Sequence, residues 1–317
     1  MDEGRGMPQA ERVLLLAAVP PELRAALEGA GVTLHALADQ PAGTLPGWRI
    51  AVGTAMAGCD AAAFARLPDL KLLASMGTGL ERIDLDAARV RGIAVANTPD
   101  VVTEDTADFG IALLYAAARQ VVAADRFVRE GRWARERFAP STRLHGKTLG
   151  VFGLGRIGSA VAWRAAGIGM RVIWSGPRPK PGVTWEYVPT LLELAKRADA
   201  LVLCCPGGAA TRGAVDGAVL RALGPAGILV NIARGEVVVE EALITALRDG
   251  TIRGAATDVF HSEPEPDPRL LELPNLVVTP HVAAVTRETR ADIVAMIVGA
   301  VTAFREGRPF HDATRAD

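Results

Sequence analysis

Short apolar runs alternate with amphipathic stretches along almost the whole chain. RVLLLAA (12–18), RIAVG (49–53), LKLLASM (70–76) and IAVANT (93–98) have the length and composition of buried strands. PPELRAALEGAG (20–31) opens on prolines and closes on glycine, the punctuation of a short helix. Residues 1–101 therefore read as a small α/β unit of flavodoxin type. The stretch 101–133 is apolar and alanine-rich over several turns and reads as one buried helix, with Thr103 as cap and Glu104 and Asp105 in its first turn. From Lys147 a second series begins: TLGVFG, RVIWS, ALVLCC, GILVNIA, GAATDVF and LVVTPH, separated by helical patterns. Six strands alternating with helices predict a doubly wound parallel sheet. A helical pattern over 286–305 then leads back to the first unit. The expected fold class is α/β, with two Rossmann/flavodoxin-like domains. Residues 102–285 form a domain inserted into another made of 1–101 and 286–317, and the cleft between them is the expected site.

Composition narrows the choice of partner. The chain has 317 residues, half of them hydrophobic, and a formal net charge of -1. It carries no basic tail or arginine-rich run, so no nucleic-acid partner is expected. VLLLAAV (13–19) and segment 193–205 are too short or too interrupted to span a bilayer, and no secretory pattern is present. The expectation is a cytoplasmic protein with no membrane partner, and residues 1–11 read as a loose tail. Cys204 and Cys205 are adjacent and would point to opposite faces of a strand, so they do not suit a disulfide. With Cys59 they read as buried thiols. The five histidines are scattered, so no metal is expected.

One stretch carries a recognisable use. VFGLGRIG (151–158) follows a hydrophobic strand and opens a helix, which is the context a dinucleotide-binding turn requires. Gly153 permits the tight turn, Gly155 lets backbone approach a pyrophosphate, and Gly158 lets helix and sheet pack closely. Arg156 and Ile157 lie at the helix N-terminus, which offers free N–H groups to the phosphates. The next strand ends in Ser175-Gly176-Pro177-Arg178-Pro179-Lys180, with no acid to hold a ribose. Small residues followed by two cations suit a 2′-phosphate, so NADP(H) is the preferred cofactor and NAD(H) a possible one. Ser175 and Arg178 are the candidate contacts, and the prolines leave open which cation, Arg178 or Lys180, touches the phosphate.

Three further segments lie near the carboxyl ends of predicted strands, where open α/β sheets bind ligands. NIARGEVV (231–238) carries Arg234, TDVFHSEPEP (257–266) carries Asp258 and Glu263, and VVTPHVAA (277–284) carries His281. An arginine can clamp a carboxylate and polarise a neighbouring carbonyl. A histidine can exchange a proton with the oxygen at C2, and a carboxylate beside it orients the ring and favours its charged form. With a nicotinamide hydride, these are the parts needed to reduce a 2-oxo acid.

On these motifs the chain resembles the D-isomer-specific 2-hydroxyacid dehydrogenases from Leu72 to Arg290. The resemblance rests on GTGLERIDLDAARVRGIAVANTPDVVTEDTADF, GKTLGVFGLGRIG, ILVNIARGEVV, ATDVFHSEPEP and TPHVAAVTRETR in that order. Within the family it is most similar to the glyoxylate/hydroxypyruvate and hydroxyphenylpyruvate reductases. The resemblance implies catalysis by Arg234, Glu263 and His281, with the substrate carboxylate received at Thr78 and Gly79 together with Arg234, and with His281 also binding the substrate. It also implies that Asp258 holds the nicotinamide carboxamide, that Thr106, Cys205 and Pro206 line the cofactor, and that the protein is a homodimer. Segment 127–145 would be its arm, with Trp133 as a candidate to reach the partner's site. Two departures stand out. Ala283-Ala284 replaces a common glycine-serine pair, and Gly-Gly-Ala-Ala-Thr follows Pro206 where relatives often have Leu-Thr-Pro-Glu-Thr. Glu236 receives no role. The competing expectations are an NAD-dependent member with another substrate and a non-catalytic nucleotide sensor.

Overall fold

A computed structural model describes residues 11–315. The expected tail lies outside the described residues except for Glu11, which starts the first strand. The chain forms two compact units, one from the segments ending at Val102 and beginning at Thr286, the other from Thr103–Val285.

In the first unit, β1 (Glu11–Leu15), β2 (Val32–Ala36), β3 (Ile50–Thr54), β4 (Leu72–Met76) and β5 (Ala94–Ala96) form one parallel sheet in the order β2-β1-β3-β4-β5. This is the flavodoxin-like order. Helices α1 (Pro21–Gly29), α2 (Ala61–Arg66) and α3 (Leu85–Val90) connect the strands. Asp60 and Asp84 cap the second and third by accepting the N–H of Ala63 and Ala87. β2, α2 and α3 are absent from the sequence-based reading. VTLHA lacks a continuous apolar run, and the two helices have six residues each.

The second unit begins with α4 (Thr103–Arg119) and α5 (Val121–Arg129). The stretch expected as one helix is broken at Gln120, whose φ of 54° is left-handed, and its halves are bent by 59°. Thr103 is the first helical residue rather than the cap. Among the described residues, no single helix is long and apolar enough to cross a membrane.

Seven parallel strands follow: β6 (Thr148–Phe152), β7 (Arg171–Ser175), β8 (Glu186–Tyr187), β9 (Ala200–Leu203), β10 (Ile228–Asn231), β11 (Gly254–Thr257) and β12 (Leu276–Val278). Their order, β12-β11-β10-β9-β6-β7-β8, is the Rossmann arrangement with its switch point between β6 and β9. The seventh strand is the two-residue β8 at one edge. β9, β10 and β11 are buried at every position, because helices cover both faces of the sheet. The covering helices are α6 (Arg156–Gly167), α7 (Leu191–Arg197), α8 (Gly217–Leu223), α9 (Glu240–Arg248) and α10 (Pro268–Leu271). α6 is tied to α4 by Arg164, which bonds Glu104 at 2.7 Å and Asp108 at 2.6 Å. Finally α11 (Arg287–Arg305), capped by Thr286, returns to the first sheet, where Ile297 and Val301 join the core on one face.

Candidate active site

The glycine turn sits at the switch point. Gly153 has a φ of 92°, and a Cβ on it would come within 2.7 Å of the Cys205 backbone. A Cβ on Gly158 would lie 2.0 Å from the Gly153 carbonyl oxygen. Protein packing therefore demands the first and third glycines. Gly155, at the N-cap of α6, has nothing within 4 Å of its Cβ direction, so the second glycine faces open space where a ligand's phosphate can approach. Arg156 and Ile157 are the first residues of that helix. Pro206 follows Cys205, which puts the Cys205-Pro206 edge beside the turn. Thr106 is buried on α4. Burial pushes the Cys205 thiol up to about 11, so it is an inert apolar group at neutral pH.

The end of β7 separates the two cations. Lys180 Nζ donates to the Leu154 carbonyl at 2.6 Å and so ties the loop to the glycine turn. Tyr187 holds the other end, donating its hydroxyl to the Gly176 carbonyl at 3.0 Å. Arg178 is exposed between these anchors. Ser175 is only 2% exposed, and its carbonyl accepts the Gly153 N–H.

Arg234, Asp258 and His281 follow the neighbouring strands β10, β11 and β12. The Asn231 side chain shapes the first turn, accepting the Ala233 N–H and donating to the Arg234 carbonyl, both at 3.0 Å. A Cβ on Gly235 would lie 2.0 Å from the Phe260 carbonyl, so only glycine lets this turn press against the next loop. In that loop the Glu263 carboxylate accepts the Phe260 N–H at 2.9 Å and meets His281 Nδ1 at 2.8 Å. With Glu263 ionised, Nδ1 carries the hydrogen and Nε2 is the nitrogen left to exchange a proton.

His281 stands at a φ of 55°, an uncommon conformation for a residue with a side chain. Asp258 holds it there. This carboxylate is 1% exposed and accepts the Thr279 hydroxyl at 2.6 Å and the N–H groups of Val282 and Ala283 at 2.9 and 2.8 Å. The His281 N–H in turn donates to the Asp258 carbonyl at 2.8 Å. Asp258 is thus the anchor of the histidine loop, and its visible bonds are to protein.

Burial alone would push the Glu263 carboxyl up. The hydrogen bonds from His281 and Phe260, and the positive charge of His281 and Arg234, outweigh this and hold it below its ordinary value. A carboxyl whose pKa is depressed on folding stabilises the fold above its unfolded pKa, and loses that contribution as pH falls through its folded value. The stability gap between the wild type and Glu263→Gln should therefore shrink below the ordinary carboxylate range. Denaturant unfolding at a series of pH values checks this, and a gap that widens on acidification would reverse the sign.

In the first unit, Gly77 leaves β4 at a φ of 111°. Its N–H donates to Thr98 Oγ1, Thr78 Oγ1 donates to the Thr98 carbonyl, and Asn97 Nδ2 donates to the Thr78 carbonyl. His311 Nε2 completes the set with Asn97 Oδ1 at 2.8 Å. The amides of Thr78, Gly79 and Leu80 donate to no protein acceptor among the described residues. Asn97, Thr98, Asn231 and Thr279 have no place in the sequence-based reading, because their work is to hold other residues. No cluster of three potential metal ligands occurs among the described residues.

Comparison with known proteins identifies the family. The profile of the D-isomer specific 2-hydroxyacid dehydrogenase NAD-binding domain matches residues 111–283. A glyoxylate/hydroxypyruvate reductase A of Arabidopsis thaliana is 43% identical over 82% of this chain and 83% of its own. The crystallised 2-hydroxyacid dehydrogenase of Ketogulonicigenium vulgare Y25 superposes with a TM-score of 0.89 at 38% identity, over 96% of this chain and 98% of that one. An NADPH-dependent glyoxylate/hydroxypyruvate reductase of Sinorhizobium meliloti, solved with NADP and malonate, gives 0.85 at 35% identity over 94% of each chain. The chain belongs to the D-isomer specific 2-hydroxyacid dehydrogenases, NAD(P)-dependent oxidoreductases that act on small 2-hydroxy and 2-oxo acids.

Proposed function

We propose that this enzyme prefers NADPH and reduces a small 2-oxo acid of the glyoxylate or hydroxypyruvate kind to the D-2-hydroxy acid. The observation that carries the chemistry is the His281–Glu263 pair at 2.8 Å, which leaves Nε2 of a charged imidazole to give its proton to the C2 oxygen. Glu263 fixes the ring through Nδ1 before the transfer. Arg234 clamps the substrate carboxylate and polarises the carbonyl. The unbonded amides of Thr78 and Gly79 suit a carboxylate. A bound nicotinamide cofactor supplies the hydride. Gly153, Gly155 and Gly158 shape its pyrophosphate site, with Thr106, Arg156, Ile157, Cys205 and Pro206 around it. Asp258 Oδ2 takes one protein donor, and its remaining acceptor capacity is assigned to the nicotinamide carboxamide.

The acid-free end of β7 supports NADPH, and the relatives of Arabidopsis and Sinorhizobium meliloti point to the substrate class. Arg178 is assigned to the 2′-phosphate, because Lys180 is engaged by the Leu154 carbonyl. The test is kcat/KM for NADPH and NADH with hydroxypyruvate. The expected preference for NADPH is at least about tenfold, the scale of one charge-assisted contact, and Arg178→Ala should remove most of it. A preference for NADH would overturn the cofactor reading. No turnover of glyoxylate or hydroxypyruvate would overturn the substrate reading.

The protein is further assigned as a cytoplasmic homodimer. Val121, Val122, Val128 and Trp133 are exposed apolar residues of one stretch, and Trp133 is 62% exposed. Sedimentation at the mass of a single protomer would remove the dimer from this reading.

A further inference from the structure

The stem of Arg234 rests on a loop to which the sequence patterns assign nothing. After β9 and Pro206 the chain runs through Gly207 and Gly208, and a Cβ on Gly207 would come within 2.9 Å of Arg234 Cγ and 3.0 Å of Glu236 Oε1. The loop backbone therefore lies directly against the arginine's aliphatic stem. Glu236, two residues past Arg234, holds it there. Its Oε1 accepts the Gly208 N–H at 2.6 Å, its Oε2 pairs with Arg212 Nη2 at 2.7 Å, and its carbonyl accepts the Gly213 N–H at 2.8 Å. Thr211 closes the loop on itself, donating to the Pro206 carbonyl at 2.6 Å. The Glu236 side chain is 24% exposed, so these bonds are partly shielded from water.

We infer that Glu236 is a positioning residue for Arg234: its carboxylate holds the Gly207–Gly208 backbone against the arginine stem and so limits the directions the guanidinium can take. The inference rests on the assignment of Arg234 to the substrate carboxylate. An arginine has many rotamers, and a wall of backbone along its stem removes those that would run through the loop. The bond to the Gly208 N–H is short and charge-assisted, so it carries most of the effect. Arg212 is largely exposed, and its ion pair contributes little.

The test measures kcat and KM for hydroxypyruvate at saturating NADPH, NADPH affinity by calorimetry, and Tm. The variants are Glu236→Ala, Glu236→Gln, Arg212→Ala, Gly207→Ala, Arg234→Ala and the double Glu236→Ala/Arg234→Ala. Glu236→Ala should lose about tenfold or more in kcat/KM for the oxo acid, mostly through KM, with NADPH affinity little changed. Glu236→Gln keeps an acceptor for the Gly208 N–H and should recover most of the loss, while Arg212→Ala should resemble the wild type. Gly207→Ala pushes a methyl group against the arginine stem and should reproduce the defect even where Glu236→Ala folds poorly. The double variant should be no worse than Arg234→Ala alone, because Glu236 acts through that residue. Wild-type kcat/KM in Glu236→Ala or Gly207→Ala, or additive losses in the double variant, would overturn the inference while an impaired Arg234→Ala kept the carboxylate assignment. Arg234→Ala at wild-type kcat/KM would overturn both.

Discussion

Turnover is expected to fall by roughly 10²- to 10⁴-fold when the imidazole of His281 is removed, the range over which a positioned acid or base acts. NADPH binding should persist, because the ring contributes nothing to the glycine turn. The choice of replacement matters. His281 stands at a φ of 55°, where alanine is strained and asparagine is tolerated. His281→Asn therefore tests the chemistry with less disturbance of the loop than His281→Ala. Single-turnover rates of NADPH oxidation with hydroxypyruvate, alongside NADPH affinity, give the measurement. Rates within about threefold of the wild type in both variants would remove His281 as the proton donor.

Asp258→Ala should be the most destabilising change in the site. It leaves the Thr279 hydroxyl and the N–H groups of Val282 and Ala283 without their acceptor, around a carboxylate that is 1% exposed. Buried donors stripped of partners cost about 1–3 kcal/mol each, so a loss of about 3 kcal/mol or more in unfolding free energy is expected. Activity should fall with it, since His281 loses the scaffold that keeps it in its left-handed conformation. Urea unfolding and kcat at a temperature where the variant is folded separate the two effects. A stability loss under about 1 kcal/mol with full activity would mean the loop holds itself.

These two cases show where the sequence was legible and where it was not. His281, Glu263 and Arg234 could be singled out because each follows a strand end and belongs to a residue type with a use in the proposed reaction. The structural work of Asp258 could not, since it depends on backbone N–H groups more than twenty residues away in the chain. Glu236 was opaque for the same reason: its partners lie on the loop after β9. At the level of elements, strands with four or five apolar positions announced themselves. β8 has two residues and no apolar run, and is a strand only because β7 lies beside it. The break at Gln120 carries no glycine or proline, so nothing local marks it. The separate fates of Arg178 and Lys180 required the fold, because Leu154 is distant in sequence from both.

The bond from Lys180 to the Leu154 carbonyl has a consequence for how the enzyme would tell its two cofactors apart. The loop is fastened to the glycine turn by the protein itself, so neither cofactor has to order it on arrival. On the proposed assignment, discrimination would fall to the charge of one exposed guanidinium, Arg178, meeting a phosphate or meeting nothing. A selectivity built on a surface charge is one that dissolved ions can erode: at high ionic strength the two cofactors would converge, while a selectivity built on shape would not.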